Sequence, residues 1–332
     1  MTRVLAVRLD NDGDVLLTGP ALRAVAAGAE RVALLCGPRG RQAAALLPGV
    51  DEIVCWRAPW IDPEPGPVAA ADIDALVARI RSLRVDRALV FGSFHQSPLP
   101  TALVLRLAGV AWIGAASVDY PGSLLDLRHQ PSDELHEVER SLELVRTAGF
   151  ELPPGDDGGL RVKLTADRLA VVPPYIVVHP GASVPARTWP AERWAELVAA
   201  LGARVVVTGA PSERALTARV AGEAGLDLGG RTTLAGLAHV LAGADAVVVG
   251  NTGPAHLAAA VGTPVVSLFA PTVPAVRWRP WRVAHELLFS DVPCAGCRAR
   301  TCPVPGHPCL GEISVDEVLA AVDRLALGRV AA

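Results

Sequence analysis

AVVVGNTGPAHLAAAVGTPVVSLFAPTVPAV, residues 246–276, runs without a single Asp, Glu, Lys or Arg. A charge-free stretch of that length invites reading as a membrane span. Pro254, Pro264, Pro271 and Pro274 break it, with Gly250, Gly253 and Gly262 between them, and no continuous helix tolerates that punctuation. The pattern instead predicts a strand over 246–249, a turn, a helix over 255–261 and a second strand over 265–269, all buried. Strand, helix and parallel strand make one βαβ unit.

Working outward, the same alternation continues in both directions. Upstream lie a strand over 175–179, a helix over 191–201, a strand over 204–208 and helices over 213–223 and 233–241. A last helix is expected over 315–327, packing back across the first half of the chain. That first half opens with a strand over 3–7, a turn at Gly13-Asp14 and a helical pattern through Leu17, Ala21, Leu22 and Val25. Strands over 31–35, 51–56 and 87–91 alternate there with helices over 41–47 and 72–83. Pro153, Pro154 and the Asp-Asp-Gly-Gly run at 156–159 read as a linker. Strands alternating with helices predict parallel sheets covered on both faces. The expected organisation is therefore two Rossmann-like halves, 1–160 and 161–332, with ligands bound at the carboxyl ends of the strands.

Composition agrees with a globular α/β protein. The 332 residues are 51% apolar and 20% charged, with a net charge of −3. A near-neutral balance leaves no electrostatic footprint for nucleic acid. Arg8, Asp10, Asp12 and Asp14 interrupt the N-terminal apolar residues too early for a signal peptide. The expected location is cytoplasmic, where six cysteines do not build a disulfide framework.

Chemistry is expected in the loops that follow strands. The first, Arg8-Leu9-Asp10-Asn11-Asp12-Gly13-Asp14, places three carboxylates just before a helix. One would serve as a helix cap, and a general base aimed at a substrate is the alternative. In the second, His179-Pro180-Gly181-Ala182-Ser183, Gly181 and Ala182 let backbone approach a ligand. Ser183 and the following N–H groups can hold a phosphate, and Arg187 can add cationic charge. The third, Thr208 to Glu213, offers a carboxylate to a ribose or merely to a helix dipole. The fourth, Gly250-Asn251-Thr252-Gly253-Pro254-Ala255-His256, presents helix N-terminal amides to a diphosphate. A single His in the first turn, as His256 is, is more often a cap or packed core group than a ligand.

A fifth feature, Cys294-x2-Cys297-x4-Cys302-x6-Cys309 with His307 inside it, gathers four of the six cysteines. A tetrahedral structural zinc competes there with oxidised pairs and with unligated thiols. No open catalytic metal position is implied.

Taken together, VLAVRLDNDGDVLLTGPALRAV, HPGASVPARTWPAERWAEL and GNTGPAHLAAAVGTPVVSLFAPT resemble glycosyltransferase family 9, the ADP-heptose:lipopolysaccharide heptosyltransferase family. The cysteine segment is similar to that family's C-terminal tail. The resemblance implies a GT-B fold, two Rossmann-like domains facing across a cleft, with the acceptor on the first and the nucleotide-sugar donor on the second. It implies sugar transfer with inversion from an ADP-heptose-like donor to a glycan or glycolipid acceptor, as in cell-envelope polysaccharide synthesis, and no cofactor required for catalysis. The family's Gly-Asp-Val motif falls on Gly13-Asp14-Val15 and selects Asp14 as the base, with Arg8, Asp10 and Gly13 as secondary, acceptor-side residues. Gly181, Ala182, Ser183, Arg187, Glu213, Asn251, Thr252, Gly253 and His256 become the donor side. Arg187 stands where the family usually has Lys. Asn251 stands where many members have Asp, and Asn is a poorer Mg²⁺ ligand than a carboxylate. A lipid-linked acceptor further implies peripheral contact with the inner membrane face, for which Arg23, Arg39 and Arg41 are candidates. A non-catalytic nucleotide-sugar-binding protein of this fold and a nucleotide-sugar epimerase are the alternative readings.

Overall fold

The computed structural model describes residues 2–93, 96–165, 171–202 and 204–330, without the side chains of 326–330. The chain divides into two compact units, Met1–Lys163 and Leu164–Ala332.

In the first unit six strands form one parallel sheet: β1 (Arg3–Arg8), β2 (Arg31–Cys36), β3 (Glu52–Cys55), β4 (Arg87–Phe91), β5 (Trp112–Ala116) and β6 (Leu127–His129). Their order is β3-β2-β1-β4-β5-β6. The central strand β1 is apolar from Val4 to Val7 because it is covered on both faces, and all four residues are fully buried. The helices are α1 (Asp12–Leu17), α2 (Gly19–Gly28), α3 (Arg41–Leu46), α4 (Ala70–Leu83), α5 (Leu99–Leu107) and α6 (Glu137–Thr147).

In the second unit the strands are β7 (Ile176–His179), β8 (Val205–Val207), β9 (Gly225–Asp227), β10 (Ala246–Gly250), β11 (Val265–Leu268) and β12 (His285–Leu288), all parallel, in the order β12-β11-β10-β7-β8-β9. The helices are α7 (Ala191–Ala200), α8 (Arg214–Ala221), α9 (Leu234–Ala242), α10 (Gly253–Ala260), α11 (Ala275–Trp278), α12 (Pro308–Gly311) and α13 (Val315–Val330). Val318, Ala321 and Val322 of α13 enter this unit's own core beside Trp194 and Val248.

Each unit thus has a switch point where the strand order reverses. It lies between β1 and β4 in the first unit and between β7 and β10 in the second, and the crevice outside such a point is where doubly wound sheets bind ligands. Register puts Arg8 opposite Phe91 at one switch point and His179 opposite Val249 at the other. The charge-free stretch of 246–276 resolves into β10, α10, β11 and the start of α11.

Two local expectations need correction. Gly13-Asp14 is not a turn: Asn11 is the N-cap, in extended conformation, and α1 begins at Asp12. Residues 156–159 are not a free linker. Asp156 accepts two hydrogen bonds from Arg23, at 2.7 and 2.9 Å, and the same guanidinium donates to Gly159 O at 2.8 Å. The Arg23 hydrogen bonds hold the Asp156 carboxyl down at about 2. Arg23 is buried by this pairing and drops out as a surface cation, whereas Arg39 and Arg41 are exposed.

Candidate functional site

At the first switch point the chain leaves β1 through a buried cation. Arg8 is 2% exposed. Its Nη2 donates to Asp14 Oδ1 at 3.1 Å and to Ser93 Oγ at 3.0 Å, and its Nε lies 2.8 Å from Asp10 Oδ2, a close ion-pair contact without hydrogen-bond alignment. Burial opposes the charge on Arg8, but Asp10, Asp14 and Glu137 outweigh it and raise the guanidinium pKa.

The three carboxylates of this loop do different things. Asp10 keeps 8% of its side-chain surface and accepts a hydrogen bond from Gln96 Nε2. Asp12 Oδ1 accepts the Ala43 N–H at 2.9 Å and so ties α1 to α3. Burial pushes the Asp12 carboxyl up to about 6. Asp14 sits in the first turn of α1, with 20% of its side-chain surface exposed and Arg8 against one oxygen. None of the three caps α1 with its side chain. Gly13 is buried within the helix. Ser93 and Gln96, from the loop after β4, and Glu137, buried at the first turn of α6, belong to this cluster and escaped sequence reasoning. Their signal was positional: residue 93 follows a strand whose carboxyl end flanks the switch point.

At the second switch point, His179 ends β7. Its Nδ1 is 2.9 Å from Thr208 Oγ1, and burial lowers its pKa to about 4, so the ring is neutral. Gly181 is buried directly under Glu213: a Cβ there would lie 2.1 Å from Glu213 Oε1. The Glu213 carboxylate also accepts the Ala210 N–H at 2.7 Å. Ala182 is half-buried and Ser183 exposed, ahead of a 3-10 turn over Pro185–Arg187 that carries Arg187.

Asn251, Thr252 and Gly253 follow β10. Thr252 is the N-cap of α10, Gly253 its first residue, and His256 is buried in it. Arg187 Nη1 reaches Asn251 O at 3.5 Å. The Asn251 side chain turns away to the backbone of Ala270, donating to its carbonyl at 3.1 Å and accepting its N–H at 3.2 Å. The second unit therefore gathers a guanidinium, a carboxylate over a glycine and a helix N-terminus at one sheet end, a set suited to a nucleoside diphosphate.

Cys294, Cys297 and Cys302 lie near Cys309, and all are free thiols. Burial, then the charge of the other three, pushes the Cys309 thiol up to about 11. Among the described residues no group of three or more His, Cys, Asp or Glu is arranged to hold a metal, so the four-thiolate zinc site weighed from the spacing is not assembled.

Residues 75–307 match the family model for glycosyltransferase family 9 (heptosyltransferase). The chain belongs to glycosyltransferase family 9. Lipopolysaccharide heptosyltransferase 1 of Pseudomonas aeruginosa is 39% identical over 178 residues, which are 50% of this chain and 48% of that protein. The chain thus spans about half the length of that curated relative in alignment. Among solved structures, a family 9 glycosyl transferase from Veillonella parvula superposes with a TM-score of 0.79 at 17% identity, covering 98% of this chain and 97% of that one. The Escherichia coli heptosyltransferase WaaC with ADP-2-deoxy-2-fluoro heptose gives a TM-score of 0.74 at 23% identity, covering 97% and 99%. These likenesses show the fold of this family 9 chain, the α/β GT-B fold built from two Rossmann-like units.

Proposed function

We propose that this family 9 chain is an inverting glycosyltransferase. It moves a heptose or related sugar from a nucleoside diphosphate donor of the ADP-heptose kind to a hydroxyl of a glycan or glycolipid acceptor, in the synthesis of lipopolysaccharide or a related envelope polysaccharide. Family membership supports transfer over non-catalytic binding or epimerisation.

The acceptor oxygen attacks the anomeric carbon, the bond from that carbon to the diphosphate breaks, and the acceptor proton passes to Asp14. One displacement inverts the anomeric centre. Asp14 is favoured over its neighbours by geometry, which precedes pKa in choosing a base. Asp12, the acid raised to about 6, is spent on the Ala43 N–H. Asp10 is held by Arg8 and Gln96. On the donor side, Arg187 and the N–H groups at Ser183 and the start of α10 meet the charge of the departing diphosphate, and Glu213 accepts from the ribose. The step as written uses no metal.

Among the described residues no helix is long and apolar enough to cross a membrane. Arg39 and Arg41 are the cations left for a peripheral contact on the cytoplasmic face.

The observation that carries this reading is the partly exposed Asp14 held by a buried Arg8 at the first switch point. Its test is Asp14→Asn, with calorimetry against ADP, GDP and UDP and their sugars. Turnover should fall by about 10²-fold or more, with the preferred nucleotide bound as before. Transfer activity that survives the substitution rejects Asp14 as the base.

A further inference from the structure

Four loops at the carboxyl end of the second sheet are linked in a ring. Asn251 is 6% exposed, and its amide makes the reciprocal pair with the Ala270 backbone. Thr272 N–H donates to Ala270 O at 2.7 Å, and Arg298 N–H donates to Thr272 O at 3.0 Å. Gly296 N–H adds a parallel bond to Pro271 O at 2.7 Å. From the same cysteine-bearing segment, Arg300 O accepts the Ala186 N–H at 3.0 Å. Arg187 is the next residue, and its long contact to Asn251 O at 3.5 Å closes the ring.

We propose that Asn251 is a positioning residue for nucleoside diphosphate binding: its amide locks the loop at 270 and, around this ring, sets the Arg187 guanidinium. The proposal rests on the donor-side reading given above. The chemistry requires an amide. Only a side chain that donates and accepts at once can pair with both the N–H and the C=O of one residue. An ionised carboxylate keeps the Ala270 N–H but turns an acceptor against the buried Ala270 carbonyl, which loses the amide donor and keeps only the Thr272 N–H. Putting the carboxylate typical of the family at 251 therefore opens this ring rather than restoring a ligand contact. The cysteine segment gains a role in the same terms. It is the outer arc that ties the Arg187 turn to the loop at 270, with no metal needed for that function.

The test compares Asn251→Asp, Asn251→Ala and Arg187→Met, and each Asn251 variant combined with Arg187→Met. Amide hydrogen exchange of Ala270 in the ligand-free protein reads the lock directly. Calorimetric titration with ADP reads its consequence. Asn251→Ala, which removes the acceptor, should speed Ala270 exchange, and Asn251→Asp should weaken ADP binding, about tenfold each, and neither should cost further affinity once Arg187 is Met. Unchanged Ala270 protection, tighter ADP binding, or full additivity with Arg187→Met overturns the proposal. If the unmodified protein binds no ADP, the donor-side reading fails, and with it the role in binding, while the exchange of Ala270 still decides whether Asn251 locks the loop.

Discussion

Gly181→Ala separates a structural from a functional reason for the glycine after β7. The backbone at 181 is not in the left-handed region, so alanine brings no intrinsic strain. Its Cβ, however, would fall 2.1, 2.2 and 2.3 Å from Oε1, Cδ and Oε2 of Glu213. Those atoms end a flexible side chain, so the backbone stays and the carboxylate swings off the glycine. The displaced group forfeits its 2.7 Å bond from Ala210 N–H, which solvent exposure holds to about 1 kcal/mol. Alanine returns about 0.4–1 kcal/mol by restricting the unfolded chain. Net stability should therefore hardly move. Binding should move much more, if Glu213 accepts from a nucleotide ribose. Hydrogen bonds to a charged group contribute about 1.5–3 kcal/mol, so ADP should bind about 10- to 150-fold more weakly. Calorimetry on Gly181→Ala, Glu213→Ala and the double variant, with melting curves alongside, makes the check. Each single change should cost similar affinity and the double no more than either. A stably folded Gly181→Ala protein with unaltered ADP affinity refutes the argument, and so does additivity of the two losses.

Two expectations concern stability. His179 is neutral in the fold, with its pKa lowered by burial from 6.5 to about 4, so the unfolded chain takes up the proton first. Stability from this group is complete above pH 6.5 and falls as pH drops to about 4, at about 1.4 kcal/mol per pH unit and about 3 kcal/mol in all; urea unfolding of His179→Gln across that range should show the shallower slope. Arg23→Met leaves Asp156 buried without its guanidinium and should lower unfolding free energy by about 3 kcal/mol, with Asp156→Asn in the same chain recovering part of it, again by urea unfolding.

Both sheets were legible because parallel strands covered on two faces are continuous apolar runs, as in residues 3–7 and 246–249. Three of the four strands that escaped are edge strands; the fourth, Trp112–Ala116, is interior, between Arg87–Phe91 and Leu127–His129. Leu127–His129, Gly225–Asp227 and His285–Leu288 are short, and their residues are only partly buried or exposed. Glu137–Thr147 escaped because its charges mask its buried face, although Val138, Ser141, Leu144 and Val145 repeat at helical spacing. The loops carrying the site were readable from their position after strands. What each side chain does was not, because the partners come from far away in the chain. Asp10, Asp12 and Asp14 are equivalent in sequence and become distinct only through Gln96, Ala43 and Arg8. Likewise the departure at Asn251 reads as a lost carboxylate until Ala270 is seen to use both ends of the amide.

The two switch points, alike in strand order, are opposite in electrical character. The first surrounds one buried guanidinium with three carboxyl groups, those of Asp10, Asp14 and Glu137, so acidic groups outnumber the cation there. The second keeps its buried histidine neutral and, beside the single carboxylate of Glu213, offers Arg187, backbone N–H groups and a helix N-terminus, which favour an anion. The proposed reaction calls for both characters, since a proton leaves the acceptor as negative charge builds on the departing diphosphate. Neither fold nor strand order supplies this asymmetry. It comes from a few loop residues, and exchanging the two sets of loops between the sheets would leave the topology intact while assigning each reactant the wrong charge.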